Sequence, residues 1–253
     1  MKQAKTVIKV ENLCAGYDNK PIIENINFEV FKGEVFIIIG GSGCGKSTLL
    51  KHMIGLLSPI SGKVMIQGKN LSDATGDDKN QILQKIGVSF QSGALFGSMT
   101  VMENIKLPLK EFTSLSDSMM EDIAMLKLKL VGLEQSAFLM PSELSGGMKK
   151  RAALARAMAL DPAIIFLDEP SAGLDPVTSV ELDHLVTSLA SDLGITFVIV
   201  THELASIETI SDRLIMLEKS AKGIIAIGTV EQLKSDKTNS YVYNFFNRQA
   251  ATK

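Results

Sequence analysis

No tryptophan occurs in this chain, and its two cysteines, Cys14 and Cys44, are too few for a disulfide framework. Such sparing use of cysteine suits a reducing compartment. Excess charge is missing as well: 26 Lys and Arg stand against 28 Asp and Glu, for a net charge of −2. That balance gives nucleic acid no electrostatic footing as the main partner. Nor is there any run near the roughly 18 apolar residues that a membrane span needs. The longest apolar stretches are short, such as VFIII and ITFVIV. The first residues, MKQAKTVIKVEN, lack the apolar region of a signal peptide, so the expected location is the cytosol, with any membrane attachment made through another chain. What is present is ordinary globular material, 45% hydrophobic and 21% charged over 253 residues, enough for one large domain with a full core.

Short apolar runs alternate with helical stretches, which predicts an α/β sheet. Segments near Val7–Leu13, Ile22–Val30 and Lys63–Gln67, with turns at GYDNKP and KG, predict an N-terminal antiparallel β region. Val35–Ile39, Ile86–Gln91, Ala163–Asp168 and Ile195–Thr201 read as buried strands. From about Met99 to Leu160 the chain turns helical and methionine-rich, as an inserted helical subdomain would. One stretch is odd: in FQSGALFGSMTVMENI, Gln91 closes a strand and leads into a small, Gly-broken apolar segment that suits neither loop nor core.

GGSGCGKST, with Gly40, Gly41, Ser42, Gly43, Cys44, Gly45, Lys46, Ser47 and Thr48, fits the G-x-x-x-x-G-K-[ST] pattern between a strand and a helix. Its glycines let successive N–H groups turn around phosphate oxygens, and the helix N-terminus adds positive potential. Lys46 is expected to reach the β- and γ-phosphates of a nucleotide and Ser47 to hold Mg²⁺. AIIFLDEP then delivers two adjacent carboxylates to a strand end, which is costly unless a cation meets them. Asp168 is the expected Mg²⁺ partner, and Glu169 is placed to orient or deprotonate a water. His202, one strand later at the same sheet edge, could hydrogen-bond a γ-phosphate oxygen. Cys44, beside a helix start and Lys46, is expected to favour its thiolate and to be shielded by Mg-ATP.

A further helix, Glu143–Leu160, opens on Ser145, Gly146 and Gly147, leaving its first amides approachable. Lys149, Lys150 and Arg151 crowd its first turns, where the macrodipole disfavours cations. A bound anion would remove that conflict, so this is a candidate second phosphate site.

With these elements in order, the chain resembles the ATP-binding cassette (ABC) ATPases from about Tyr17 to beyond His202. GGSGCGKST resembles the family's phosphate loop, Gln91 its Q-loop, LSGGM its signature, IIFLDEP its second nucleotide motif, SAGLD its D-loop and His202 its switch histidine. Met148 departs from the glutamine commonest in the signature. The resemblance implies a P-loop NTPase core with an N-terminal antiparallel β region and an inserted helical subdomain, an ATP-binding domain over residues 7–244 with the subdomain at about 92–160, and a tail at 245–253. It implies ATP and Mg²⁺ as ligands, with Tyr17 stacked on adenine. Gln91 would then touch Mg²⁺ or the attacking water, and Glu169, His202 and Gln91 would carry the catalysis. It also implies a head-to-tail homodimer in which Ser145–Gly147 of one copy caps the γ-phosphate held by the other.

The odd stretch then gains a meaning, since in this family the Q-loop joins the core to the helical subdomain and reports to a membrane permease. Gly93–Phe96 would form part of that docking groove, or else pack inside the subdomain. QSGALF and SELSGGMKKRAALARA resemble one branch, the Mla/Mce-type lipid-transport ATPases. That branch implies a cytoplasmic-face location at the inner membrane, a separate integral-membrane permease, and further partners such as a small regulatory subunit and a lipid-binding Mce-type protein. Import of a small solute and a non-transport role, as in cell-division ATPases, are the alternatives. The tail segment SYVYNFFNRQ holds two of the three tyrosines and either packs on its own core or braces a partner protomer.

Overall fold

The computed structural model describes residues 5–249; the last four residues of the tail, 250–253, lie outside them. In chain order the strands and helices are β1 (Thr6–Tyr17), β2 (Lys20–Phe31), β3 (Val35–Gly40), α1 (Lys46–Met53), β4 (Ser61–Ile66), β5 (Lys69–Asn70), α2 (Gly76–Leu83) and β6 (Ile86–Ser89). Next come α3 (Val101–Phe112), α4 (Asp117–Leu130) and α5 (Gly146–Ala157), all inserted before β7 (Ile164–Asp168). The chain closes with α6 (Pro176–Leu193), β8 (Thr196–Val200), α7 (Leu204–Ile210), β9 (Arg213–Glu218), β10 (Gly223–Gly228), α8 (Val230–Ser235) and α9 (Ser240–Phe246).

Two sheets form. One is four-stranded and antiparallel, in the order β2-β1-β4-β5. The other runs β10-β9-β3-β8-β7-β6 and is parallel except for the β9–β10 pair. The parallel strands read as unbroken apolar runs because both faces are covered. Alternation assigns their side chains cleanly. Ile37, Ile39, Ile165, Leu167, Phe197 and Ile199 join the helices in one core, while Phe36, Ile38, Phe166, Val198 and Val200 face the antiparallel sheet and α1 in the other.

The predicted strands all form, with ends shifted by no more than four residues. Three strands had no counterpart in the sequence reading: the short β5, and β9 and β10, which complete the sheet on the side of β3 away from β8. The ends of β3, β7 and β8 then lie side by side, with Ile38 level with Val200 and Val200 with Asp168. The candidate site is built on that edge.

Candidate nucleotide site

The turn after β3 depends on glycine. Gly40 has φ 149, and a Cβ there would sit 2.3 Å from the Leu217 carbonyl oxygen. Gly45, at φ 105, caps α1 with no side chain to occupy its amides, and the first turn holds no acidic residue. An uncapped helix N-terminus after a turn of glycines is a cradle for an anion. Lys46 Nζ donates to the carbonyls of Gly40 (2.7 Å) and Gly41 (3.2 Å), which keeps the amine folded over the loop. Ser42, Gly43 and Ser47 are exposed and Thr48 is buried.

Tyr17 ends β1 and is 41% exposed. Lys51 Nζ lies 3.3 Å from its hydroxyl and 5.6 Å from its ring centroid. Hydrogen bonding from Thr48, and then from Lys51, lowers the phenol's pKa below its ordinary value.

Asp168 ends β7 and Glu169 follows it. Burial pushes the Asp168 carboxyl above its usual range and the neighbouring Glu169 adds to this, against Lys51, Lys46 and Lys150. Its Oδ1 is buried with no hydrogen-bond partner. A buried carboxylate oxygen without a partner, surrounded by lysines that fail to reach it, fits a divalent cation. Among the described residues no three His, Cys, Asp or Glu side chains converge, so such an ion would depend on phosphate and water oxygens for its remaining ligands.

Glu169 itself sits at φ 47, a conformation seldom adopted by a residue with a side chain. Its N–H donates to Val200 (2.8 Å). His202 Nδ1 lies 2.9 Å from both of its carboxylate oxygens, so the histidine read as a phosphate contact is here engaged with the carboxylate.

Gln91 is exposed two residues past β6. Beyond it Gly93 is buried, Leu95 packs on the helical core and Phe96 is 51% exposed, so the two readings of this segment divide between adjacent residues. The scaffold beneath was not read from the sequence. Asn104, fully buried in α3, accepts from the Phe96 N–H (2.8 Å) and donates to the carbonyls of Phe96, Met99 and Thr100. Arg156 donates to the carbonyls of Ala94 (2.8 Å) and Gly93 (2.9 Å). A lone asparagine and an arginine in helices carry no local signal of such work.

Ser145 caps α5 by accepting from the Met148 N–H (3.2 Å). Gly147 packs against α6 so closely that a Cβ would lie 2.4 Å from Thr178 Cγ2. The basic turns of α5 are occupied within the chain. Lys150 reaches the carbonyls of Gln91 and Glu169, and Arg151 that of Val131 (3.3 Å). Two of the three cations near this helix start, Lys150 and Arg151, therefore have protein partners of their own. Burial lowers the Lys150 pKa, opposed by the carboxylates of Glu169, Asp168 and Glu203.

Cys44 corrects an expectation. It is 2% exposed, and burial pushes its thiol pKa up, outweighing Lys46 and the local amides. The thiolate is disfavoured. The tail packs on its own core through Val242 and Phe246, and Tyr241 Oη lies near the phosphate loop, 3.1 Å from where a Cβ on Gly41 would sit.

A glycine turn on an open helix start, a buried acidic strand end and a capped second helix start together define a phosphate-loop nucleotide site. The family model for ABC transporters matches residues 23–172, and the chain belongs to that family. It is similar to the intermembrane phospholipid transport system ATP-binding protein MlaF of Haemophilus influenzae, 38% identical over 90% of this chain and 86% of that one. Against MlaF of Escherichia coli K12 the identity is 40%, over 86% of this chain and 80% of that one. A probable ribonucleotide transport ATP-binding protein, mkl, of Mycobacterium leprae is 41% identical over 89% of this chain and 65% of its own length. Among solved structures, the post-hydrolysis dimer of the ATP-binding cassette MJ0796 with ADP and Pi superposes with a TM-score of 0.79 at 32% identity, covering 88% of this chain and 98% of that one. The cassette cbiO1 of Clostridium perfringens gives 0.81 at 27%, covering 94% and 98%. The chain is an ATPase of that family.

Proposed function

We propose that this ATPase energises the movement of phospholipid between membranes, working as a homodimer on the cytoplasmic face of a separate permease. The cargo reading is carried by the likeness to MlaF along nine-tenths of the chain. In this reading the α1 amides and Lys46 hold the β- and γ-phosphates, the lysine exchanging its loop carbonyls for phosphate oxygens. Mg²⁺, held by Ser47, Asp168 and Gln91, would neutralise charge on the phosphates. Glu169 takes a proton from the attacking water at a carboxylate oxygen, and His202 fixes that carboxylate before contacting the γ-phosphate. Tyr17 stacks on adenine. Ser145, Gly146 and Gly147 of a second copy close over the phosphate, an arrangement favoured by the exposure of Ser145 and Gly146 at the start of α5 and by the dimeric state of the MJ0796 cassette. Among the described residues no helix is long and apolar enough to cross a membrane, which fits attachment through a permease. Phe96, exposed at the end of the Q-loop segment, is placed to meet that partner.

The mycobacterial relatives favour a second cargo, ribonucleotide, at similar identity. Both are tested by copurifying the ATPase with its native membrane partners and reconstituting the complex in lipid nanodiscs. Stimulation of MgATP hydrolysis by phospholipid, with phospholipid found in the purified complex, is the expected result. Stimulation by added ribonucleotide alone would move the assignment to the second cargo.

A further inference from the structure

The parallel ladder between β6 and β7 stops at Ser89 and Leu167. Just past it, the chain from β6 presents the carbonyl of Gln91 and the chain from β7 that of Glu169. Lys150, one turn into α5, spans both, its Nζ 2.5 Å from the Gln91 oxygen and 3.2 Å from the Glu169 oxygen. We propose that Lys150 is a positioning residue for hydrolysis, a single cation that ties the signature helix to the backbones of Gln91 and Glu169 and fixes where their side chains point.

Glu169 needs such a hold. Its φ of 47 is an unfavoured conformation that persists only where its surroundings fix it. On one side the Val200 carbonyl takes its N–H. On the other side Lys150 takes its carbonyl, so the peptide is gripped at both ends and the carboxylate is aimed at His202. The charge of Lys150 is used as well, since the carboxylates of Asp168, Glu169 and Glu203 all act on it. Because α5 also carries Ser145 and Gly147, a shift of this helix is passed directly to both carbonyls. The role concerns hydrolysis by the chain alone and holds whichever cargo is carried.

The test is steady-state MgATP hydrolysis and nucleotide binding by the full chain carrying Lys150→Met, Lys150→Arg or Lys150→Gln. Lys150→Met should lower kcat by about tenfold or more while leaving KM and the nucleotide dissociation constant within about twofold, the pattern of a lost transition-state interaction. Lys150→Arg, which keeps a cation and several donors, should restore most of the rate. In a Glu169→Gln background Lys150→Met should cost little more, because residues acting as a unit are not additive. A wild-type kcat in Lys150→Met would overturn the proposal. So would losses that multiply with Glu169→Gln, or an arginine variant no better than methionine. If the methionine variant fails to fold, Lys150→Gln, which loses the charge and is too short to bridge both carbonyls, should show a selective loss of kcat relative to Lys150→Arg, and a wild-type kcat there would overturn the proposal.

Discussion

His202 and Glu169 meet across the ends of β7 and β8, the imidazole Nδ1 lying 2.9 Å from each carboxylate oxygen. Their strands are in register, with Asp168 level with Val200, so this contact follows from sheet pairing and not from a flexible loop. The carboxylate is 14% exposed and the imidazole 66%, so the histidine closes the solvent side of an otherwise enclosed group. The same strand ends carry the buried Asp168 oxygen that lacks a partner.

The Q-loop segment separates scaffold from contact surface. Asn104→Ala takes a hydrogen-bond partner from four part-buried backbone groups, of which the Phe96 and Thr100 carbonyls keep a backbone N–H while the Phe96 N–H and the Met99 carbonyl lose theirs. Leaving buried polar groups unpaired costs about 1–3 kcal/mol, and about 2–4 °C in Tm accompanies each kcal/mol at this size. Thermal unfolding should show that loss. Phe96→Ala should stay within about 2 °C of wild type, since half of the ring is already in water, yet it should weaken attachment to the permease. Equal stability losses in the two variants would contradict this division.

Gly147→Ala tests the packing of the signature helix on α6. Alanine is the better helix former by about 1 kcal/mol, so propensity alone would raise stability. Here the new methyl would collide with Thr178 Cγ2, and that side chain cannot turn freely because its hydroxyl donates to Asp175 at 2.6 Å. A lower Tm is expected, with recovery in the double variant carrying Thr178→Ser, which drops the methyl and keeps the hydroxyl. A single variant more stable than wild type would refute the contact.

Cysteine reactivity should follow burial. Cys14 is partly exposed whereas Cys44 is buried with its thiol pKa raised. Timed alkylation followed by peptide mass spectrometry should find Cys14 modified first. Faster modification at Cys44 would mean a more open phosphate loop.

Asp183, 6% exposed, should make stability depend on pH. Burial raises its pKa in the folded chain, and Ser206 only partly offsets this. With the folded value above the unfolded one, its ionisation penalty is absent below the ordinary aspartate range near 3.9 and develops as pH rises through the folded pKa. Asp183→Asn should therefore raise Tm at pH 7, and the gain should vanish at low pH. A gain that persisted unchanged below pH 3.5 would rule out charge as its source.

Much of the site was legible because its chemistry is local. Gly40–Thr48 and Asp168–Glu169 are runs of adjacent residues, and the apolar runs before them fix them at strand ends. What was not legible depends on distant contacts. Lys150 read as an anion clamp because its partners, Gln91 and Glu169, are 59 and 19 residues away in the chain. Asn104 looked like any helix residue, and its four bonds follow from how the Q-loop segment folds back on α3. Leu214–Leu217 is a short buried apolar run between β10 and β3, and such a run is not told from a buried helix segment by periodicity alone, so β9 was missed and β10 with it. Cys44 was misjudged because its helix start and lysine are local, while the burial that decides its pKa is tertiary.

The central claim is that the phosphate loop and the Glu169 carboxylate form an ATP-hydrolysing site, and Glu169→Gln tests it most directly. The measurement is paired, nucleotide affinity and steady-state MgATP hydrolysis on the same preparation. The variant should bind ATP as wild type does and lose turnover by about two to four orders of magnitude, the range for a positioned base. Hydrolysis close to wild type would contradict the role given to Glu169.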